Sequence, residues 1–211
     1  MEEEKAPVLE LRNNIVRTNT FDLNRNLVIT SSTPLSGFVT DSIQLFRIQD
    51  TLEYPVKSKV YLDTNSFYRL VVSYVPEEQT KYRLFAPDSV IRDIYGITND
   101  TIEYKFKTQL LSAYATLNLN VSNVQDNLIL QLLTEKEEIV KERYLSEDSN
   151  QRFEFLTPGK YVLKIIVDRN NNRKWDTGDY ESKLQPEKVI YFDQQVELRA
   201  NWEMEFNWVL P

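Results

Sequence analysis

Oxygen-bearing side chains recur in one stretch at a spacing that suits a hard divalent cation. In DRNNNRKWDTGD, counted from its first residue, Asp168, Asn170, Asn172, Asp176 and Asp179 stand at positions 1, 3, 5, 9 and 12. An EF-hand-type loop wraps Ca²⁺ with this spacing, and its seventh position contributes a main-chain carbonyl, here that of Lys174. Calcium accepts about six to eight oxygens in a flexible cage, so alternating residues of a curled loop can all face inward. Two positions depart from the pattern. Arg173 stands where Gly usually makes the sharp turn, and Asp179 replaces the longer Glu of position 12. Three carboxylates with two amides place the expected affinity at the weak end, about 10⁻⁴ to 10⁻³ M, a range filled outside cells. The same residues also suit a hairpin loop in which Asp and Asn bond their own backbone as Asx-turns. Trp175 occupies the hydrophobic position of such a loop, which assigns it to packing.

Other chemistries are narrowed by composition. The 211 residues include no His and no Cys, which removes Ser-His-Asp and Cys-His catalysis, thiolate metal sites and disulfides. A net charge of −7 disfavours a phosphate-backbone partner, so no nucleic acid is expected. Paired carboxylates such as Asp176, Asp179 and Glu181 are the remaining route to hydrolysis. Their place on a cation-type loop makes ligation the better account, and the chain is read as non-enzymatic.

The elements that carry the loop read as strands. The chain has only 4 Gly but 12 Tyr and 10 Phe, with many Val, Ile and Thr. In the N-terminal half, about seven or eight short strands are expected, a spacing that suits a β-sandwich. They fall at 8–11, 26–30, 43–48, 56–62, 67–75, 82–85 and 102–106, and FYRLVVSYV reads as central because apolar residues fall on both faces. The short KTQLLS stretch after them has no Gly or Pro, which implies a stiff connection. The C-terminal half restarts with strands at 115–121, 127–133 and 139–145. Pro158-Gly159 then turns the chain into a strand at 161–167 that delivers it to the loop, and Pro186-Glu187 precedes a strand at 188–192. From Val196 to Leu210 apolar and polar residues alternate. At about 3.3 Å per residue this would span roughly 50 Å, so a break near Ala200-Asn201 is expected. Trp202 and Trp208 both fall on the apolar phase, which assigns them to the core.

Two resemblances follow from particular residues. FDLNRNLVITSSTP at 21–34, then Asp93-Ile94-Tyr95-Gly96 with Asn99-Asp100 and the strand Tyr104–Thr108, is similar to the bacterial Ig-like domain of the S-layer (SbsA) type. The second half, with Pro158-Gly159-Lys160-Tyr161-Val162-Leu163 leading into Asp168 to Gly178, resembles the prealbumin-like and Cna-B-like sandwiches of exported proteins. Together, with Gln185–Val189 and Arg199–Glu203, they look like the C-terminal part of Bacteroidetes Ig-like-domain lipoproteins. The resemblance implies an all-β chain of two tandem β-sandwiches, 1–109 and 110–211, in a cell envelope. It also implies that a signal peptide and an anchoring Cys lie upstream, since MEEEKAP is too acidic for a signal peptide. Any membrane attachment would then come through that upstream lipid anchor.

Two functional classes follow. One is a structural or interaction module that docks other envelope proteins, with Ca²⁺ as its cofactor stiffening the second domain. The other is a glycan-binding module using exposed aromatics, for which Tyr95, Trp175 and Tyr180 are the candidates.

Overall fold

The computed structural model describes residues 7–16 and 18–211 and is an all-β chain. It divides into two compact units, Met1–Leu110 and Leu111–Pro211.

The first unit contains β1 (Leu11–Asn13), β2 (Thr20–Phe21), β3 (Leu27–Ser31), β4 (Leu35–Phe38), β5 (Gln44–Gln49), β6 (Leu52–Val56), β7 (Lys59–Asp63), β8 (Ser66–Ser73), β9 (Lys81–Ala86), β10 (Ile91–Asp93) and β11 (Ile102–Thr108). One sheet runs β1-β3-β8-β7 and another β2-β11-β9-β5-β6, with β10 and β4 forming a separate pair. Leu27, Ile29, Leu70 and Val72 of the first sheet and Leu45, Tyr82, Leu84 and Phe106 of the second belong to one buried core, the signature of a sandwich.

Three strand expectations in this unit need correction. The segment 8–10 is not a strand, because Leu9 donates its N–H to the Thr98 carbonyl and is tied to a turn instead. The expected strand at 56–62 is two strands, since β6 pairs with β5 in one sheet and β7 with β8 in the other. The chain changes sheets at Lys57-Ser58, where a continuous ladder cannot persist. β8 is central as expected, between β3 and β7, but both of its faces are buried only over Leu70, Val71 and Val72, and Phe67 and Tyr68 stand exposed.

The turn after β10 gives the Asp93-to-Asp100 motif its physical meaning. Asp93 is 1 % exposed, and its carboxylate accepts the N–H groups of Tyr95 (2.9 Å) and Ile97 (2.8 Å) and the Thr33 hydroxyl (2.7 Å). Gly96 sits at φ 83°, a region that a Cβ disfavours. Asn99, 3 % exposed, accepts the Ile91 N–H (2.7 Å) and donates to the carbonyls of Pro87 (2.9 Å) and Asp100 (2.7 Å). Burial alone would push the Asp93 carboxyl up. The Thr33 hydroxyl and the N–H groups of Ile97, Tyr95 and Gly96 favour the anion and together hold it below the usual carboxylate range.

The second unit contains β12 (Ala115–Ser122), β13 (Leu128–Thr134), β14 (Ile139–Leu145), β15 (Ser149–Leu156), β16 (Gly159–Val167), β17 (Val189–Tyr191), β18 (Val196–Leu198) and β19 (Glu203–Val209). One sheet runs β15-β12-β19 and the other β14-β13-β16-β17, with β18 also pairing β16. The alternation in β12 sends Leu117, Leu119 and Val121 into the core with Leu130, Leu132, Leu163, Ile165 and Trp208. The C-terminal alternation is broken, as its length required: β18 and β19 lie in different sheets. Asn201, at φ 61°, lies in the connection between them. This break overturns the core assignment of Trp202, which is 49 % exposed, while Trp208 is buried as expected.

Candidate cation loop

β16 carries the chain out of the core, and Asp168 is the first residue beyond it. Asp168 is 2 % exposed, and its N–H is fixed by the Asn127 carbonyl at 2.8 Å. Its carboxylate accepts two main-chain donors from the loop it opens, the N–H of Asn172 at 3.0 Å and of Arg173 at 2.8 Å. These bonds curl the loop back over its own start. Asn171 and Arg173 take φ values of 57° and 63°, so Arg173 adopts the left-handed conformation for which Gly is the usual residue. Its guanidinium lies over the Tyr144 ring, 4.9 Å from the centroid.

Within the curl the expected ligands partly converge. The amide nitrogens of Asn170 and Asn172 both donate to Asp176 Oδ2, the second at 2.8 Å. Their oxygens accept main-chain N–H groups, Asn170 Oδ1 from Asn172 and Asn172 Oδ1 from Lys174. Three of the predicted side chains therefore meet at one point, with Asp168 beneath them through the backbone and Lys174 in the same turn. Asp179 is engaged elsewhere. Its Oδ1 accepts the Glu181 N–H at 2.9 Å, its Oδ2 accepts the Ser182 hydroxyl, and its backbone pairs in both directions with Leu184. The Ser182 hydroxyl and then the Glu181 N–H hold this carboxyl below its ordinary range, so it is poorly suited to donate a proton. Among the described residues, no group of three or more His, Cys, Asp or Glu side chains is gathered closely enough to hold a metal by itself.

A residue outside the motif closes the loop. Glu187, 4 % exposed, accepts the Arg169 N–H at 2.9 Å through Oε1 and the Asp176 N–H at 3.0 Å through Oε2. One buried carboxylate thus pins both arms. The Glu187 N–H donates to the Asp176 carbonyl at 3.1 Å, and its own carbonyl accepts the Trp175 indole N–H at 3.2 Å. Trp175 is accordingly a half-exposed brace rather than a core residue. Gly178 is required by space, since a Cβ there would stand 2.8 Å from the Leu184 carbonyl oxygen and 2.9 Å from Pro186 Cδ. Glu187 has no periodicity to mark it. Its only signal in the sequence is an acidic residue at the point where the chain re-enters the sheet.

The loop's donor set is chemically suited to calcium: carboxylate and amide oxygens with a nearby main-chain carbonyl, all hard ligands. In the described arrangement, amide N–H groups face Asp176 and supply the positive ends that its charge requires. Ligation calls for the two amides to turn their oxygens inward, a local change in exposed side chains.

No family model matches the chain, and no curated protein matches it. Among solved structures it is similar to the TIE protein of Bacillus anthracis, at 11% identity and a TM-score of 0.29, over 96% of this chain and 33% of that one. The chain therefore spans about a third of that protein's length.

Proposed function

We propose that this chain is a non-enzymatic structural or interaction module of a bacterial cell envelope, of the Bacteroidetes Ig-like-domain lipoprotein kind, with Ca²⁺ stiffening its second unit. The observation that carries the cation part is the meeting of Asn170, Asn172 and Asp176 at one point, braced from beneath by buried Asp168 and Glu187. Asp168, Asn170, Asn172, Asp176 and the Lys174 carbonyl would hold the ion. Asp179 joins them only if its own turn opens. The ion supplies positive charge that neutralises the repulsion between Asp168 and Asp176, and the rest of the loop is positioned by the protein itself. A net charge of −7 and the absence of His and Cys support a docking or spacing role over catalysis or nucleic-acid binding. The partners on this reading are other envelope proteins, and the membrane is reached through a lipid anchor upstream.

Thermal unfolding of the chain in EDTA and in millimolar Ca²⁺, with Mg²⁺ as control, tests the cation part. A midpoint that climbs with Ca²⁺ concentration, and a climb lost in Asp176→Ala, is the expected result, because a ligand that binds only the folded state stabilises it by mass action. An unchanged midpoint at saturating Ca²⁺ would reduce the loop to a hydrogen-bonded hairpin.

A further inference from the structure

Two irregularities face each other across the start of β12. On one side, the register of β15 slips: Ala115 pairs with Leu156 and Leu117 with Phe153, so both Glu154 and Phe155 lie opposite Thr116. This is a β-bulge, a device that re-aims side chains. Phe155 holds φ 57° there, an uncommon conformation for a bulky residue and one that concentrates at functional positions. On the other side, the chain reverses at Ala200-Asn201 with Asn201 at φ 61°, and Trp202 emerges from the turn onto the solvent side. Trp202 is fastened to β12 through its carbonyl, which accepts the Thr116 N–H at 2.9 Å.

Between the two lies a depression of about 260 Å³ whose walls include Tyr114, Thr116, Glu154, Phe155, Trp202 and Glu203. Its aromatic parts are pre-set. Tyr114 and Phe155 meet edge to face at 5.6 Å, and the Arg199 guanidinium stacks on the Trp202 ring at 5.0 Å and fixes its plane. Its polar parts are pre-set as well. Arg152 binds Glu154 at 2.9 Å and also Glu203, and Asn118 donates to Glu203 at 2.7 Å.

We infer that this depression binds one ring of a neutral pyranose saccharide. A pyranose carries C–H bonds on its faces and hydroxyls around its rim. An indole held in plane receives the C–H face, and ionised carboxylates at the wall accept the rim hydroxyls in charge-assisted hydrogen bonds. The volume lies just below the ~300 Å³ at which pockets take whole drug-sized ligands, which fits a single ring of a longer chain. The Asn118 amide and then the Arg152 guanidinium hold Glu203 below the usual carboxylate range. It therefore acts as an acceptor and not as the proton donor that glycoside cleavage would need. The site deepens the glycan reading but moves it to residues other than Tyr95, Trp175 and Tyr180. Tyr180, at 98 % exposed, has no surrounding wall, and Trp175 is tied to Glu187.

The test is a calorimetric titration of the full chain with short neutral α- and β-linked gluco-, manno- and galacto-oligosaccharides, with uronate oligosaccharides run beside them. It is run in EDTA, so its outcome is independent of the cation proposal. At least one neutral saccharide is expected to bind, and Trp202→Ala should weaken that binding by about tenfold or more. Trp175→Ala should leave it unchanged. Glu154→Gln, an exposed substitution that keeps the bulge, should weaken it several-fold. Silence across the panel would overturn the inference. So would undiminished binding by Trp202→Ala, or binding confined to uronate oligosaccharides, which these carboxylates would repel.

Discussion

The Asp93-to-Asn99 turn and the Asp168-to-Glu187 loop are built from the same residue types and use them differently. In the turn, the two polar side chains that matter are buried and every bond they make goes to the backbone or to a neighbouring hydroxyl. In the loop, the buried share of that work falls to Asp168 and Glu187, while Asn170 and Asn172, at the surface, accept main-chain N–H groups through their oxygens and turn their amide nitrogens to Asp176. A motif whose polar groups are all spent on its own backbone is architecture. A motif that keeps some of them at the surface, held in place by others, has groups available for a ligand.

Four measurements press on that contrast. The three tryptophans all lie in the second unit, so their emission separates its unfolding from that of the first. The largest effect is expected from Asn99→Ala, which strands the buried Ile91 N–H and Pro87 carbonyl. It should cost about 3 kcal/mol in urea unfolding followed by circular dichroism. Glu187→Ala releases two N–H groups and should cost about 2 kcal/mol, read by tryptophan emission because Trp175 is tied to residue 187. Glu187→Gln keeps an acceptor and should lose about half of that. If Asp176→Ala in EDTA cost as much as Glu187→Ala, the division between brace and surface group would fail.

The third measurement is acid unfolding. The folded Asp93 carboxyl titrates below its unfolded value of about 3.9. Its contribution is therefore present above that pH and disappears as pH falls through the lower, folded value. Wild type should lose stability relative to Asp93→Asn below about pH 4, and parallel curves for the two proteins would contradict this. The smallest effect is expected from Arg173→Gly. Relief of the left-handed strain and loss of the stack on Tyr144 oppose each other, so unfolding in EDTA should move by less than about 0.5 kcal/mol.

Much of the architecture was legible because burial and alternation coincide. In β12 every second residue is apolar and every second residue is buried, and the sequence showed both its place and its face. Legibility failed where tertiary pairing decides. Nothing local marks Lys57-Ser58 as the point where the chain changes sheets, and nothing local says that Leu9 bonds to Thr98. Trp202 departs from the core expectation because it lies in the connection between β18 and β19, outside either strand, although the inward phase of Val196 and Leu198 resumes at Met204, Phe206 and Trp208. In the loop, the spacing of Asp168, Asn170, Asn172 and Asp176 was readable. Glu187 was not, since it reaches the loop only through the fold, and the aromatic depression required a bulge that no spacing rule announces.

The last strand of the second unit runs parallel to its first. β19 pairs with β12 from Thr116–Glu203 to Ser122–Val209, so the chain enters the unit at one end of the strand pair and leaves at the other. Tension applied between those two ends pulls the strands along each other's length. Their hydrogen bonds are then strained together in shear, and none can be peeled open ahead of the rest. On the spacing role proposed above, this connectivity lets the second unit resist pulling between its two ends, whatever its equilibrium stability.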